Sequence, residues 1–375
     1  MIRTCFLCVI LFSSSLCIAQ NKPTDTATLT DPCLDAKGNA YMDRQARAFL
    51  AEVNATLKKY PPGLSHQAHR QPHLLLLDAV LHDKYAAYRK PVQDFFHERI
   101  ANTLAEIENT KVQKGAVIWK LYNMGFIIRT KTVTLAFDLV DGKSSRSDSF
   151  ALSGNIMTRL IRQCDVLFVS HYHRDHADEA IARQFIDNGK PVIAPPQIWA
   201  GQPVHNAVTH LKRQADTLQE LTLKSGRKLK IVLYPGHQMG ETENNVPLVF
   251  TPEGLSFSHM GDQINEGKFM IDYDWIDHVA RKYHVDVLIP PSWTNEIHRI
   301  VKGFNPELVI PGHENELGHP LDDRVPFWGD SEFLQLTYPE LKASSFKTLN
   351  MTWGESFHYV RPGKVLFTGS TATFH

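Results

Sequence analysis

The stretch "VSHYHRDHAD", residues 169–178, carries three histidines, two aspartates and an arginine directly after an apolar run. Side chains alternate along an extended strand, so His171 and His173 point to the same side and can reach one metal ion. Asp175 and His176 follow where the chain turns into a helix, and they can serve a second metal ion beside the first. Imidazole and carboxylate ligands favour zinc or a similar divalent cation. The stretch therefore predicts a strand that ends in a metal-binding loop.

Three further strand ends deliver the same residue types. His237 lies in "KIVLYPGHQMG", Asp262 in "LSFSHMGDQ" and His313 in "ELVIPGHENELGH", each after an apolar strand. A dinuclear site needs more ligands than one loop supplies, and other strand ends are the natural source of the rest. A single histidine in such a position is more often structural than a ligand, so the prediction rests on the four strand ends together.

This order of motifs, a strand with HxHxDH, then His, then Gly-Asp, then His, resembles the metallo-β-lactamase superfamily over residues 116–375. The resemblance implies an α/β fold, an αββα sandwich with the metals at one edge between the sheets. It implies two sets of ligands and a bridge: His171, His173 and His237 for the first metal, Asp175, His176 and His313 for the second, and Asp262 between them.

The resemblance also narrows the subgroup. True metallo-β-lactamases have Cys or Ser in place of Asp262, and flavodiiron proteins usually have Glu in place of His173. The pattern SHxHxDHxD, with "MGD" and "IPGH", is similar to the branch that contains ascorbate-phosphate lactonase and N-acyl-phosphatidylethanolamine phospholipase D. Asp138, after "TLAF", matches an aspartate that supports the metal-binding loop, although a plain turn residue is the alternative. "LYNMGF" and residues 314–319 have no parallel there, so the substrate stays open.

The chemistry implied by the resemblance is hydrolysis of an ester-type bond in a small molecule, either a lactone or a phosphodiester. Two divalent ions about 3.5–4 Å apart can share a water and lower its pKa to about 7. Zn²⁺ is expected, with Mn²⁺ or Fe²⁺ as alternatives. Asp262 would hold the two ions together, and Asp175 would ligate the second ion and hydrogen-bond the bridging water.

Two other interpretations compete with the hydrolase. One is a mononuclear iron dioxygenase of the same fold, which would use only His171, His237 and Asp262. The other is a non-catalytic metal-binding module that has kept the fold. Iron content with oxygen consumption would indicate the first, and bound metal with an inaccessible water would indicate the second.

Residues around the ligands are candidates for protonating the leaving group and shaping the pocket. The candidate proton donors are His259 and His319, for which a core or solvated histidine is the alternative. The candidate pocket aromatics, which could equally be core residues, are Tyr172, Tyr234 and Trp293. A second histidine cluster is interpreted as a surface loop: His66, His69 and His73.

The N-terminus predicts a secretory signal. Arg3 precedes an apolar run over 5–12, and small residues lead up to a cleavage point after Ala19. Leu16 before Cys17 disfavours a lipoprotein signal, and the apolar run is too short to span a membrane. We therefore expect an exported protein, periplasmic or secreted, with no transmembrane segment.

Composition adds little about partners. Forty basic residues balance forty acidic ones, so nothing indicates a nucleic-acid partner. The oligomeric state stays open. Beyond the signal only Cys33 and Cys164 remain, and they could form a disulfide or be unrelated, with Cys164 buried at a strand start.

The chain divides into the signal over 1–19, a helical N-terminal segment over 20–114 and the hydrolase domain over 115–375. The first helix predicts a buried stripe, and the next two helices each start at a proline, Pro72 and Pro91. The stripe contains Ala46, Phe49, Leu50, Val53 and Leu57. Three antiparallel strands then follow Gly115, and strands and helices alternate from there, with helices predicted over 274–283 and 331–343 among them. Short strands near 346–360 and 364–369 are predicted to close the chain. We expect the helical segment to pack on the sandwich and to border the mouth of the site.

Overall fold

The computed structural model describes residues 31–143, 147–238, 242–263, 267–292, 297–317 and 346–362. Three helices precede the first strand: α1 (Ala36–Lys59), α2 (Gln67–Leu81) and α3 (Lys90–Asn109). The Asp35 carboxylate caps α1 by accepting a hydrogen bond from the backbone N–H of Gly38. Pro91 lies in the first turn of α3, where its missing N–H is harmless. The helical N-terminal segment predicted from the sequence is confirmed.

Two details of these helices differ from the prediction. α2 starts at Gln67 rather than at Pro72, because a 3-10 turn over 64–66 leads directly into it, and Pro72 lies inside the helix. Phe49 is 41% exposed. It lies at the edge of the α1 stripe, so the helix can bury the other four apolar residues without it.

The first sheet has six strands in the order β12-β1-β2-β3-β4-β5. The three predicted antiparallel strands are β1 (Ala116–Lys120), β2 (Phe126–Arg129) and β3 (Thr134–Phe137). The remaining strands are β4 (Val166–Phe168) and β5 (Val192–Ile193), which run parallel to β3, and β12 (Glu355–Tyr359), antiparallel to β1.

The second sheet also has six strands, in the order β11-β10-β9-β8-β7-β6. An antiparallel meander comes first, formed by β6 (Leu218–Thr222), β7 (Lys228–Gln238), β8 (Thr242–Phe250) and β9 (Ser256–His259). Two strands then run parallel to β9, namely β10 (Val287–Ile289) and β11 (Leu308–Val309).

Apart from the edge strand β6 and the start of β7, both faces of each sheet are buried, as in an αββα sandwich. Along β3, Leu135 and Phe137 belong to a cluster shared with Leu233 and Phe257 of the other sheet, while Ala136 belongs to the cluster that includes the helices. This alternation follows from the period of two in a strand. The outer helices of the sandwich are α4 (Gly154–Gln163), α5 (Glu179–Asp187), α6 (Tyr273–Ile276), α7 (Val279–Lys282) and α8 (Ile297–Phe304).

Several predicted elements need correction. The helix predicted over 274–283 is two short helices, α6 and α7, because the backbone at Asp277 and His278 closes one helix and starts the next. α4 was not predicted, because it follows a polar loop and buries only three apolar residues: Met157, Leu160 and Ile161. The helix over 331–343, the last strand over 364–369 and the signal lie outside the described residues.

The N-terminal helices and the sandwich share one buried cluster. Phe96 of α3 stacks on Phe150 at 4.3 Å and meets Trp353 at 5.2 Å between ring centroids. Arg70 of α2 is fully buried and forms a bidentate ion pair with Glu355 of β12, with N–O distances of 2.9 and 2.5 Å. The helices therefore pack on the sandwich as predicted. Among the described residues, none of the helices is both apolar and long enough to span a membrane.

Candidate metal centre

The metal-binding loop is fixed by Asp138, which follows β3. Its carboxylate accepts hydrogen bonds from the backbone N–H of Ser170 at 2.7 Å and from the Ser170 hydroxyl at 2.6 Å. It also accepts one from Nδ1 of His176 at 2.8 Å. Asp138 therefore joins the ends of β3 and β4 and orients a predicted ligand, so the predicted supporting role is confirmed.

Three imidazoles converge on Asp262, which follows β9. Nε2 of His313 lies 2.7 Å from Oδ1 of Asp262, and Nε2 of His176 lies 3.2 Å from the same oxygen. Nε2 of His171 lies 3.6 Å from Oδ2. One carboxylate thus faces three imidazoles, two that follow β4 and one that follows β11, which is the position required of a bridge between two ions.

Six of the seven predicted ligands fall into two neighbouring groups. Within each group, the ligand atoms all lie within 4.8 Å of one another. One group contains His171, His173 and Asp262, and the other contains Asp175, His176 and His313. These residues lie up to 142 positions apart in the chain. They meet because β3 runs parallel to β4 in the first sheet, and β9, β10 and β11 run parallel to one another in the second.

His237, the seventh predicted ligand, lies at the end of β7 and belongs to neither group. Its Nδ1 donates to the carboxylate of Asp272, 3.0 Å from each oxygen. Gln263 fixes both residues: its amide nitrogen donates to Asp272 at 2.7 Å, and its amide oxygen accepts from the backbone N–H of His237 at 3.1 Å. As a ligand, His237 stays a prediction.

Four of the five predicted histidine ligands share a pattern in which Nδ1 is held by an oxygen; the exception is His173, whose Nδ1 lies 2.9 Å from Nε2 of His171. His176 donates to Asp138, His237 to Asp272, and His313 to Glu316 at 2.5 Å. Nδ1 of His171 lies 3.0 Å from the Ser170 hydroxyl, whose own proton goes to Asp138. Metal-bound histidines in proteins are held in this way, because a hydrogen bond at one ring nitrogen leaves the other free for the metal.

Tight backbone turns present two of the ligands. Gly261 has φ +53°, and a Cβ there would lie 2.4 Å from Cβ of Ser170. His313 itself has φ +55°, a left-handed conformation that costs a non-glycine residue about 1–3 kcal/mol. Such strain is tolerated when the surrounding structure needs the side chain at one particular place.

The charges of the buried groups are strongly coupled. Burial would raise the pKa of Asp262, but His176, His313 and His171 outweigh it and hold the pKa well below its usual range. Burial would lower the pKa of His313, but Glu316 and Asp262 raise it to about 9. Burial and His176 lower the pKa of His171 to about 3. The cluster thus combines a carboxyl group whose pKa is lowered, that of Asp262, with one imidazole whose pKa is raised, that of His313, and one whose pKa is lowered, that of His171.

The donor set fits divalent metal ions. Nε2 of His176 is buried without a hydrogen-bond partner, although carboxylate oxygens of Asp175 and Asp262 each lie 3.2 Å away. A buried polar atom without a partner destabilises a fold by about 1–3 kcal/mol, whereas a cation placed among these nitrogens and oxygens would satisfy it. Nitrogen and carboxylate donors without thiolates favour zinc, iron or manganese.

A cavity of about 950 Å³ opens beside the second group. His173 and Asp175 line it together with Tyr172, Trp199 and Glu316. Tyr172 is therefore a pocket residue as predicted. The described lining residues come from 141–148, 172–179, Trp199 and 316–317, and none comes from the three N-terminal helices. That these helices border the mouth stays a prediction.

Other predicted candidates have structural roles. Tyr234 is buried and stacks on Trp275 at 4.7 Å, away from the cavity lining. His259 is buried, its Nε2 donates to the carbonyl of Met124 at 2.9 Å, and its ring stacks on Phe137. His259 is therefore a core histidine, the alternative to a proton donor, because its ring is closed off by the core between the sheets.

The remaining candidates are settled in part. Trp293 and His319 lie outside the described residues. The histidines of the second cluster do not lie in a loop as interpreted but at and within the start of α2, where His69 stacks on Tyr60 at 4.3 Å. Cys33 is exposed and Cys164 is buried, and within the described part of the chain no disulfide joins them.

Two polar residues of the centre were missed. Glu316 accepts from His313, and Asn123 donates to Asp175 and Glu316. Both belong to stretches that stood out in the sequence because they had no parallel in the similar branch, "LYNMGF" and residues 314–319. Their partners lie up to 193 positions away, so the pairing itself left no local signal.

Comparison with known proteins gives structural neighbours only. No protein-family model matches the sequence, and no curated protein sequence matches it. Igni18, a metallo hydrolase from Ignicoccus hospitalis KIN4/I, is similar at 18% identity and a TM-score of 0.47, covering 65% of this chain and 99% of that one. YhfI of Bacillus subtilis, a metallo-β-lactamase fold protein, is similar at 12% identity and a TM-score of 0.37, covering 66% and 100%.

A third neighbour has a different activity. CmlA, a diiron β-hydroxylase from Streptomyces venezuelae, is similar at 13% identity and a TM-score of 0.44, covering 66% of this chain and 55% of that one. The structural neighbours of this chain are metallo-β-lactamase fold proteins, among them metal-dependent hydrolases.

Proposed function

We propose that this chain is a dinuclear metal-dependent hydrolase that cleaves an ester-type bond, a lactone or a phosphodiester, in a small molecule. The observation that carries the proposal is the convergence of three Nε2 atoms, from His171, His176 and His313, on the Asp262 carboxylate. Asp175 and His173 complete two adjacent sets of donors. Two sets that meet at one carboxylate favour a pair of ions over a single ion.

Each residue has a part in this proposal. When bound, two divalent ions, most simply zinc, would activate water and polarise the oxygen of the bond to be cleaved. Asp262 would hold both ions, and His171, His173 and His237 would hold the first. Asp175, His176 and His313 would hold the second.

The substrate would enter through the cavity beside Asp175. Tyr172 and Trp199 offer aromatic surface there, and His173 is partly exposed to it. Asp175 also lines this cavity, so its carboxylate can orient a water at the site. Since His259 is closed off in the core, the proton for the leaving group must come from another group or from solvent.

Hydrolysis of chromogenic substrates tests the proposal. The zinc- or manganese-loaded chain should hydrolyse a chromogenic phosphodiester or lactone, and Asp262→Asn should lose that turnover by a factor of about 100 or more, as expected when a residue that binds the ions is changed. Equal turnover in the variant, or no turnover of either substrate class by protein that carries two metals, would contradict it.

The mononuclear iron dioxygenase predicts a different result. It would need His171, His237 and Asp262 only, and the second group of Asp175, His176 and His313 would then have no use. Iron at one equivalent per chain together with oxygen consumption would support it, whereas activity with zinc under anaerobic conditions would exclude it. The complete second group favours the hydrolase.

Export is part of the proposal. The signal-like residues before Ala19 support cleavage there and a periplasmic or secreted enzyme. Mass spectrometry of the chain expressed with these residues should give an N-terminus at Gln20, and an intact Met1 in the exported fraction would contradict it.

A further inference from the structure

Glu316 lies where it can control His313. It is 1% exposed, and Oε2 accepts a hydrogen bond from Nδ1 of His313 at 2.5 Å. Nε2 of the same ring faces Asp262. A carboxylate on Nδ1 fixes the tautomer and the plane of an imidazole and makes Nε2 a better donor to a metal.

Asn123 extends this contact to a second predicted ligand. Its amide nitrogen donates to Oε1 of Glu316 at 2.8 Å and to Oδ2 of Asp175 at 3.3 Å. Asn123 is fully buried in the turn between β1 and β2 and has φ +50°. One amide group therefore spans two carboxylates, one that orients His313 and one that lies in the same ligand group as His313.

The backbone of Asn123 strengthens the link. Its carbonyl accepts hydrogen bonds from the backbone N–H of His313 at 3.2 Å and from the ammonium of Lys120, itself buried, at 3.0 Å. The β1–β2 turn thus holds His313 through the main chain and, by way of Glu316, through the side chain.

We propose that Glu316 and Asn123 are positioning residues for the second metal: together they fix the donor atoms of His313 and Asp175, and they leave the first group of His171 and His173 untouched. This inference rests on the proposed function, because it assumes two ions. It also assigns a role to one residue in each of the two stretches that the motif pattern leaves unexplained, "LYNMGF" and residues 314–319.

The chemistry of the contacts points to a sharp variant. Glu316 accepts hydrogen bonds at both oxygens, from His313 and from Asn123, while a glutamine has one acceptor oxygen. Glu316→Gln keeps the shape but must lose one of the two bonds. Asn123→Ala removes the side-chain link to Asp175 and Glu316 and keeps the backbone carbonyl that accepts from His313 and Lys120, at the cost of some strain at φ +50°. Asp286→Asn is the matched control. Asp286 is also a buried carboxylate, but it lies just before β10 and is bonded to Tyr359 and Arg361 rather than to a predicted ligand.

The experiment measures zinc retention by the full metal-loaded chain in chelator buffers that set the free zinc concentration. Wild type is expected to hold two zinc ions. Glu316→Gln and Asn123→Ala should need roughly 10–100-fold higher free zinc to keep the second ion, as for other residues that orient metal ligands. The first ion should be held as in wild type, and Asp286→Asn should hold both ions like wild type.

The outcomes separate the two claims. If wild type holds two ions and Glu316→Gln holds both with wild-type affinity, the positioning role is overturned while the proposed function stands. If Asp286→Asn loses its second ion as readily as Glu316→Gln, the loss reflects general loosening of the fold, and the positioning role is again overturned. If wild type does not hold two ions, the proposed function fails and this inference with it.

Discussion

At the scale of single residues, short motifs predict the ligands well but not the groups that orient them. His171, His173, Asp175 and His176 lie in one loop, and a strand-to-helix turn brings such neighbours together in any fold. Glu316 and Asn123 contact the same site only because two sheets bring distant turns to one edge. Their hydrogen bonds follow from packing, which a single sequence does not encode in any local pattern.

Gly261 offers a test at this scale. A methyl group at Gly261 would lie 2.4 Å from Cβ of Ser170 and 2.5 Å from the side-chain oxygen of Asn244. Gly261→Ala should therefore displace Asp262, reduce bound metal and activity at least tenfold, and destabilise the fold by about 1–3 kcal/mol. Gly226→Ala is the control, because Gly226 has φ +80° with nothing within 4 Å. It should lose stability only, and equal metal loss in both variants would contradict the account.

The two cysteines should react very differently with thiol reagents. Burial raises the pKa of the Cys164 thiol to about 12, and this side chain is 1% exposed, whereas Cys33 is exposed. The thiolate is the reactive form. A native chain that starts after Ala19 should therefore titrate one thiol with Ellman's reagent at pH 8, and the denatured chain should titrate two. Two fast thiols in the native chain would show that Cys164 is accessible.

At the scale of elements, the content of β-branched and aromatic residues predicted the strands better than apolar spacing and prolines predicted the helix ends. The three strands after Gly115 are found in their predicted order, because β-branched and aromatic side chains pack well on the pleated surface of a buried sheet. The start of α2 was wrong because the 3-10 turn before Gln67 supplies a helical entry that proline statistics ignore. The single helix predicted over 274–283 is two helices, α6 and α7. Apolar spacing could not show this, because it gives no sign of a break in backbone hydrogen bonding.

The contact between α2 and β12 gives a prediction for elements. Arg70 and Glu355 are both buried, and removal of one partner leaves an unpaired charge in the core. Arg70→Met should lower the free energy of unfolding by about 3–5 kcal/mol, measured by urea denaturation. Lys228→Met at the exposed Lys228–Glu220 pair should cause no measurable change. Similar, small effects in both variants would show that Arg70 does not join the helices to the sheet.

At the scale of the whole molecule, the motif order predicted the sandwich and the helical segment before it, but not how closely they are joined. Phe96, Phe150 and Trp353 come from α3, a loop and the residues before β12, and they form one aromatic cluster. An amphipathic helix shows in its sequence that one face is covered, but not what covers it. The common core of helices and sandwich could therefore be seen only in the structure.

Asp286 joins the two sheets and should make stability depend on pH. It accepts from Tyr359 of β12 at 2.8 Å and from the backbone N–H of Ser256 at 2.8 Å. Burial would raise its pKa, but Arg361, Ser256 and Tyr359 outweigh it and lower the pKa. A lowered folded-state pKa stabilises the fold fully above the unfolded value of about 3.9, and this contribution is lost as pH falls through the folded pKa.

The variant Asp286→Asn checks that sign. The difference in unfolding free energy between wild type and the variant should be constant from about pH 7 to 5 and should shrink below about pH 4, as the wild-type carboxylate is protonated. Chemical denaturation across this range measures the difference. A difference that stays constant down to the lowest pH at which both proteins fold would contradict the account.

Anomalous diffraction at the zinc edge, from crystals grown with zinc, would decide whether the centre holds two ions. Two anomalous peaks about 3.5–4 Å apart are expected, with Asp262 between them and one group of predicted ligands around each. One peak alone, or peaks away from Asp262, would contradict the dinuclear centre.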